Sequence, residues 1–112
     1  MRIAIPLARG KLAQHFGHCE EFALLDISEE DKQIISSQKV ESPGHQPGLL
    51  PSWLAGHEVD TIIAGGMGGR AKQLFQENNI TVVVGTSADT PENIVQAYLD
   101  GTLVTGDNLC DH

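Results

Sequence analysis

The stretch from Thr61 to Val84 constrains this chain most. Thr61-Ile-Ile-Ala64 is a short apolar run, Gly65 to Gly69 a glycine-rich turn, Arg70 to Asn79 a helical segment, and Ile80-Thr-Val-Val-Val84 a second apolar run. Near-continuous apolar strands on either side of a helix mark a βαβ unit, in which helices bury both faces of a parallel pair and the crossover is right-handed. A chain built around this unit is committed to an α/β fold.

The flanking segments extend the pattern. Arg2-Ile-Ala-Ile-Pro-Leu7 reads as a buried strand with Pro6 at its end, where a missing amide does least harm. A loop from Ala8 to Glu20 follows. Glu21 to Ile27 and Gln33 to Val40 are strands joined by the short charged turn Ser28 to Asp31, which predicts an antiparallel hairpin. Pro and Gly crowd Ser42 to Pro51 and lead into a helix carrying Leu49, Leu50, Trp53 and Leu54, with Gly56 at its end. Thr90-Pro91 opens the last helix, with Thr90 as N-cap and Asn93 at the third position, and Gly101 closes it. The predicted order is βββαβαβα, a mixed five-stranded sheet with three helices. Residues 1–101 are expected to form a single domain and residues 102–112 a tail.

Fifteen acidic against seven basic residues give a net charge of -8. That balance disfavours the phosphate contacts that dominate nucleic-acid affinity. No apolar stretch approaches the ~20 residues of a membrane span and no leader pattern opens the chain, so a cytoplasmic protein without nucleic-acid or membrane partners is expected.

Soft metal donors are concentrated in the segments read as loops or ends: His15, His18 and Cys19 in the first, His45 between two Pro-Gly steps, and Cys110 and His112 in the tail. Thiolate and imidazole favour zinc, copper, iron and sulfur-bridged clusters over calcium or magnesium. No Cys-x-x-Cys or His-x-x-x-His pair accompanies them, so zinc-finger spacing is absent. Gly65, Gly66, Met67, Gly68, Gly69 and Arg70 follow a strand and open a helix. Such a turn offers unpaired amides and a positive helix end to an anion, with the Met67 thioether and the Arg70 guanidinium as further contacts. It lacks the lysine and hydroxyl residue of a nucleotide-binding P-loop. A tight packing turn explains the same glycines equally well. His57, beside Gly56 at a helix end, is assigned no ligand role. No oriented nucleophile and base are evident, and the carboxylates Asp26, Glu41 and Asp60 have routine surface explanations, so catalysis is not expected.

Met1-Arg-Ile-Ala-Ile-Pro6, His15-Phe-Gly17 followed by Phe22, Pro43-Gly-His-Gln-Pro-Gly48 and Ile63-Ala-Gly-Gly-Met-Gly68 together resemble the dinitrogenase iron-molybdenum cofactor biosynthesis family over nearly the whole chain. The likeness is to its short single-domain members, which include nitrogenase cofactor carriers and a carrier of a molybdenum-copper sulfide cluster. The resemblance implies a ribonuclease-H-like fold and a non-enzymatic carrier or scaffold. Its cargo would be a metal-sulfur cluster of molybdenum, iron or copper, handed on to a recipient protein. In that reading His15, His18, Cys19 and His45 line a site completed by Gly65 to Arg70, with Cys110 and His112 closing over it from the same or a neighbouring chain. The alternatives are a single zinc or iron ion held by the same residues, and a metal-free interaction or regulatory module. The oligomeric state is left open.

Overall fold

The computed structural model describes residues 1–14, 19–44 and 48–106. The elements are β1 (Arg2–Ala8), β2 (Lys11–Leu12), β3 (Glu21–Ser28), β4 (Gln33–Glu41), α1 (Leu49–Gly56), β5 (Thr61–Ile63), α2 (Gly69–Glu77), β6 (Thr81–Val83) and α3 (Pro91–Asp100). They build a mixed sheet of order β4-β3-β1-β5-β6, with β2 paired to β1 off this path. The expected count of five strands is therefore corrected to six. The extra strand is only two residues long and lies inside the Ala8 to Glu20 segment, where Leu12 pairs with Leu7 and Lys11 with Ala8. Two residues are too few for an alternating pattern to register.

The predicted hairpin forms, with Phe22 opposite Val40, and a bulge after Asp26 shifts the register so that Ile27 faces Ile34. The predicted parallel pair also forms, Ile62 lying beside Val82. β1 sits between them. It is antiparallel to β3 from Arg2 to Leu7 and parallel to β5 only at Ile3 and Ala4. Pro6 thus lies inside β1 and not at its end. The strand tolerates it because β5 no longer pairs there, and the Pro6 carbonyl instead accepts the Ala13 amide at 2.8 Å.

The alternation of β1 and β3 divides the core between the two faces of the sheet. Ala4, Phe22, Leu24 and Ile62 pack with Leu50 and Leu54 of α1 and Phe75 of α2. On the opposite face Ile3, Ile5, Leu7, Leu25 and Ile63 pack with Ile94 and Val95 of α3. The result is three layers, with α1 and α2 on one side and α3 on the other. Helix ends follow the residues that predict them. Thr90 Oγ1 accepts the Asn93 amide at 3.4 Å, Pro91 follows in the first turn, and Gly101 caps α3 in the left-handed region. Among the described residues no helix is long and apolar enough to cross a membrane.

Candidate functional site

Strand direction gathers the loops. Because β5 and β6 run parallel to β1 while Leu7 pairs with Glu21 and Glu21 with Glu41, the segments after β1, β4, β5 and β6 all leave from one end of the sheet. In open α/β sheets this end, beyond the carboxyl ends of the parallel strands, is where ligands bind. Main-chain hydrogen bonds tie these segments together. The Glu20 amide donates to Leu7 O at 2.8 Å, Ser42 N to Glu20 O at 3.1 Å, and Leu12 N to Asp89 O at 3.0 Å.

A row of close backbone contacts crosses the same end. A Cβ on Gly65 would lie 3.0 Å from both Cα and O of Gln14 and 3.3 Å from Cδ2 of Leu12, so only glycine lets the β5 turn meet the first loop at this distance. Gly65 O accepts the Gly85 amide at 2.9 Å, and Gly85 O accepts the Gly106 amide at 2.8 Å. Gly85 has φ +87°, and a Cβ there would overlap Gly106. An isolated antiparallel bridge between Thr86 and Thr105 continues the row. The start of the tail is therefore held at the loop end of the sheet.

Of the donors proposed from sequence, Cys19 is described, and it is a core residue. It is 4% exposed and belongs to the apolar cluster of Phe22, Leu50, Leu54, Ala64 and Met67. Burial pushes its thiol up to about 11, with hydrogen bonding to its own backbone and to Ser42 acting the other way. Met67 is fully buried in the same cluster. Gly65 and Gly66 are buried beside it, whereas Gly68, Gly69 and Arg70 are exposed where α2 begins. Gly68 caps α2 without a side-chain hydrogen bond and no acidic residue occupies the first turn, so the turn presents amide donors and a guanidinium.

His15, His18, His45, Cys110 and His112 lie outside the described residues. Among the described residues no three His, Cys, Asp or Glu side chains gather as a metal site. What the described residues offer is an amide-rich turn suited to an anion, with a buried thiol behind it. Their anchors can still be placed. The first loop departs at Gln14 against Gly65, the second follows Ser42 beside Glu20, and the tail follows Gly106 on Gly85.

His57 belongs to the far end. Its carbonyl accepts Arg2 Nη1 at 2.7 Å and its ring stands edge-on to Trp53 at 4.6 Å. Asp26 and Asp60 bind Arg2 at that same far end, whereas Glu41 ends β4 at the loop end, so these carboxylates do not converge. Sequence reasoning passed over Gln14, Gly85 and Gly106. A signal existed for Gly85, which follows the β6 run as Gly65 follows that of β5.

This architecture is that of a known class. Residues 1–101 match the family model for dinitrogenase iron-molybdenum cofactor, and the chain belongs to that family. Among its relatives, MJ0580, an uncharacterized protein of Methanocaldococcus jannaschii, is 29% identical over 108 residues, which is 92% of this chain and 89% of the relative. The crystal structure of PH0822 superimposes with a TM-score of 0.85 at 28% identity, covering 94% of each chain. The apo form of the orange protein from Desulfovibrio gigas shares the fold, with a TM-score of 0.71 at 22% identity over 96% of this chain and 93% of that one.

Proposed function

We propose that this protein is a carrier or scaffold for an anionic metal-sulfur cluster of molybdenum, iron or copper, without turnover of its own. The carrying observation is the convergence of Gln14, Ser42, Gly65 and Gly106 at one end of the sheet, because each anchors or forms a segment bearing proposed donors. In this reading the amides of Gly66, Gly68 and Gly69 and the Arg70 guanidinium hold the anionic sulfides. His15, His18 and His45 supply imidazole contacts, and Cys110 and His112 close the site. Residues 1–101 act as one ribonuclease-H-like domain and 102–112 as its tail. A cytoplasmic protein that passes its cluster to a recipient protein fits the family.

The amide-rich turn that opens α2, with Arg70 beside it and no acidic residue in the first turn, favours an anionic cluster over a bare zinc or iron ion. A bare ion needs three or four Cys, His or carboxylate donors within direct reach. A cluster held through its sulfides needs amide donors first. The test is anaerobic purification followed by measurement of metals, acid-labile sulfide and the visible spectrum, then titration with tetrathiomolybdate. Sulfide-to-metal ratios of about one or above with visible charge-transfer bands are expected. Stoichiometric uptake of zinc with no affinity for tetrathiomolybdate would replace the cluster reading by the single-ion one. A protein that takes up neither would leave the interaction-module reading.

A further inference from the structure

The chain leaves α3 through a fixed root. Gly101 takes the left-handed conformation, and the amides of Thr102 and Leu103 both donate to Ala97 O, at 2.9 and 3.1 Å. Leu103 is half-buried against the cluster that contains Ile94 and Val95. Beyond it Val104, Thr105 and Gly106 are exposed, Val104 by 81%. Two links hold these three residues to the domain: the bridge from Thr105 to Thr86, and the bond from the Gly106 amide to Gly85 O at 2.8 Å. A short exposed segment with so little apolar burial belongs to the low end of local stability.

What this segment covers works against it. Thr86 is 4% exposed, and its Oγ1 is sealed from water with no hydrogen-bond partner. Thr105 lies across from Thr86 through the bridge, and Leu103 and Val104 border the same recess, whose other wall is Ile94 and Ala97 of α3. Ile94 and Leu103 are packed into the core, so Val104 to Gly106 is the part of this cover that lifts without unfolding the domain. An unpaired buried hydroxyl bears its full desolvation cost, which is relieved once water reaches it. The closed segment thus carries a penalty that opening removes. The bonds on the inner side of the same stretch are independent of it: the Gly85 amide donates to Gly65 O at 2.9 Å and the Thr86 amide to Ala64 O at 3.4 Å.

We propose that Val104 to Gly106 form a releasable strap, weakened by the dry Thr86 hydroxyl beneath it, and that its release opens the loop end of the sheet. Gly106 rests on Gly85 at the end of the row that runs through Gly65 to Gln14, so lifting the strap withdraws the start of the tail from that row. The gating role rests on the cluster reading above, in which Cys110 and His112 beyond the strap close the site. The release itself does not.

The test is native-state hydrogen exchange, followed by NMR on the full ¹⁵N-labelled chain without any cluster. Relative to the unfolded chain, the Gly106 amide is expected to be at least about tenfold less protected than those of Gly85 and Thr86, through an opening that leaves the sheet intact. Thr86→Val, which removes the hydroxyl and keeps the shape, should raise Gly106 protection about tenfold, whereas Thr86→Ser, which keeps the hydroxyl, should not raise it. Equal protection of Gly106, Gly85 and Thr86, unchanged Gly106 protection in Thr86→Val, or the same rise in both variants would each overturn the strap. Stopped-flow uptake of tetrathiomolybdate should be about tenfold slower in Thr86→Val than in the unaltered chain. Equal uptake rates would overturn the gating role, and no uptake by either protein would overturn the cluster reading while the exchange result still decides the strap.

Discussion

Gly65 meets the backbone of Gln14 so closely that a Cβ would stand 3.0 Å from Gln14 Cα and carbonyl O. This contact joins the turn after β5 to the first loop at the point where that loop begins its histidine-bearing stretch. Neither side can yield by rotating a side chain, because the atoms on the Gln14 side are main chain. Gly65→Ala is therefore expected to cost about 1–3 kcal/mol in urea unfolding. It should also weaken tetrathiomolybdate uptake beyond what the stability loss explains. Gly56→Ala, with open space around its Cβ at the far end of the sheet from the turn, should leave both nearly unchanged.

Gly85 combines a left-handed backbone with steric overlap on Gly106. Gly85→Ala should pay roughly 1–2 kcal/mol for its φ alone and more for the displaced tail. Deleting residues 105–112 removes the overlap but not the backbone strain. In a double-mutant cycle the substitution should then be milder in the shortened chain, and equal costs in both chains would show that Gly106 does not rest on Gly85 in solution.

The buried thiol of Cys19 gives a pH signature. Its folded value, about 11, lies above the ordinary 9.0, so the unfolded chain loses this proton first as pH rises. The stabilisation is complete below pH 9 and is lost between there and pH 11, on the order of 2 kcal/mol in all. Cys19→Ala should flatten that part of the alkaline stability profile. Peptide mapping after iodoacetamide treatment at pH 8 should find residue 19 largely unlabelled in the folded chain and labelled in urea.

At the far end of the sheet Arg2 Nε donates to Asp26 Oδ1 at 2.8 Å, and Ser36 Oγ donates to Oδ2 at 3.0 Å. The guanidinium first, then Ser36, lowers the Asp26 carboxyl below 3.8, against the smaller opposing effect of burial. Its contribution is present above that value and disappears as pH falls through the lowered folded one. Both side chains are partly exposed, 25% for Arg2 and 39% for Asp26, so Asp26→Asn should cost no more than about 1 kcal/mol at pH 7. Urea melts of the two proteins should converge as the pH drops below the ordinary carboxylate range.

Several features were legible along the chain. The hairpin from β3 to β4 followed from two β-rich runs and a charged turn. The βαβ unit followed from its apolar runs, and the caps of α3 from Thr90, Pro91 and Gly101. The packing of Cys19 was not legible: next to His18 it read as a loop donor, and in the structure it also belongs to the cluster of Phe22 and Leu54. A cysteine is as much a small apolar residue as a ligand, and only its neighbours decide which. β2 was illegible because two residues show no period.

By itself the sequence determined which segments become strands and helices and which residues end them, since propensity, caps and hydrophobic period are local. It also determined the family, through motifs spread along the chain. The tertiary structure alone decided that β1 lies between the hairpin and the βαβ unit, that Pro6 is tolerated within it, and that Gln14, Gly65, Gly85 and Gly106 share one row. These are pairings between residues far apart in the chain. Their register is set by burying both faces of the sheet at once, a condition that no local window of sequence contains.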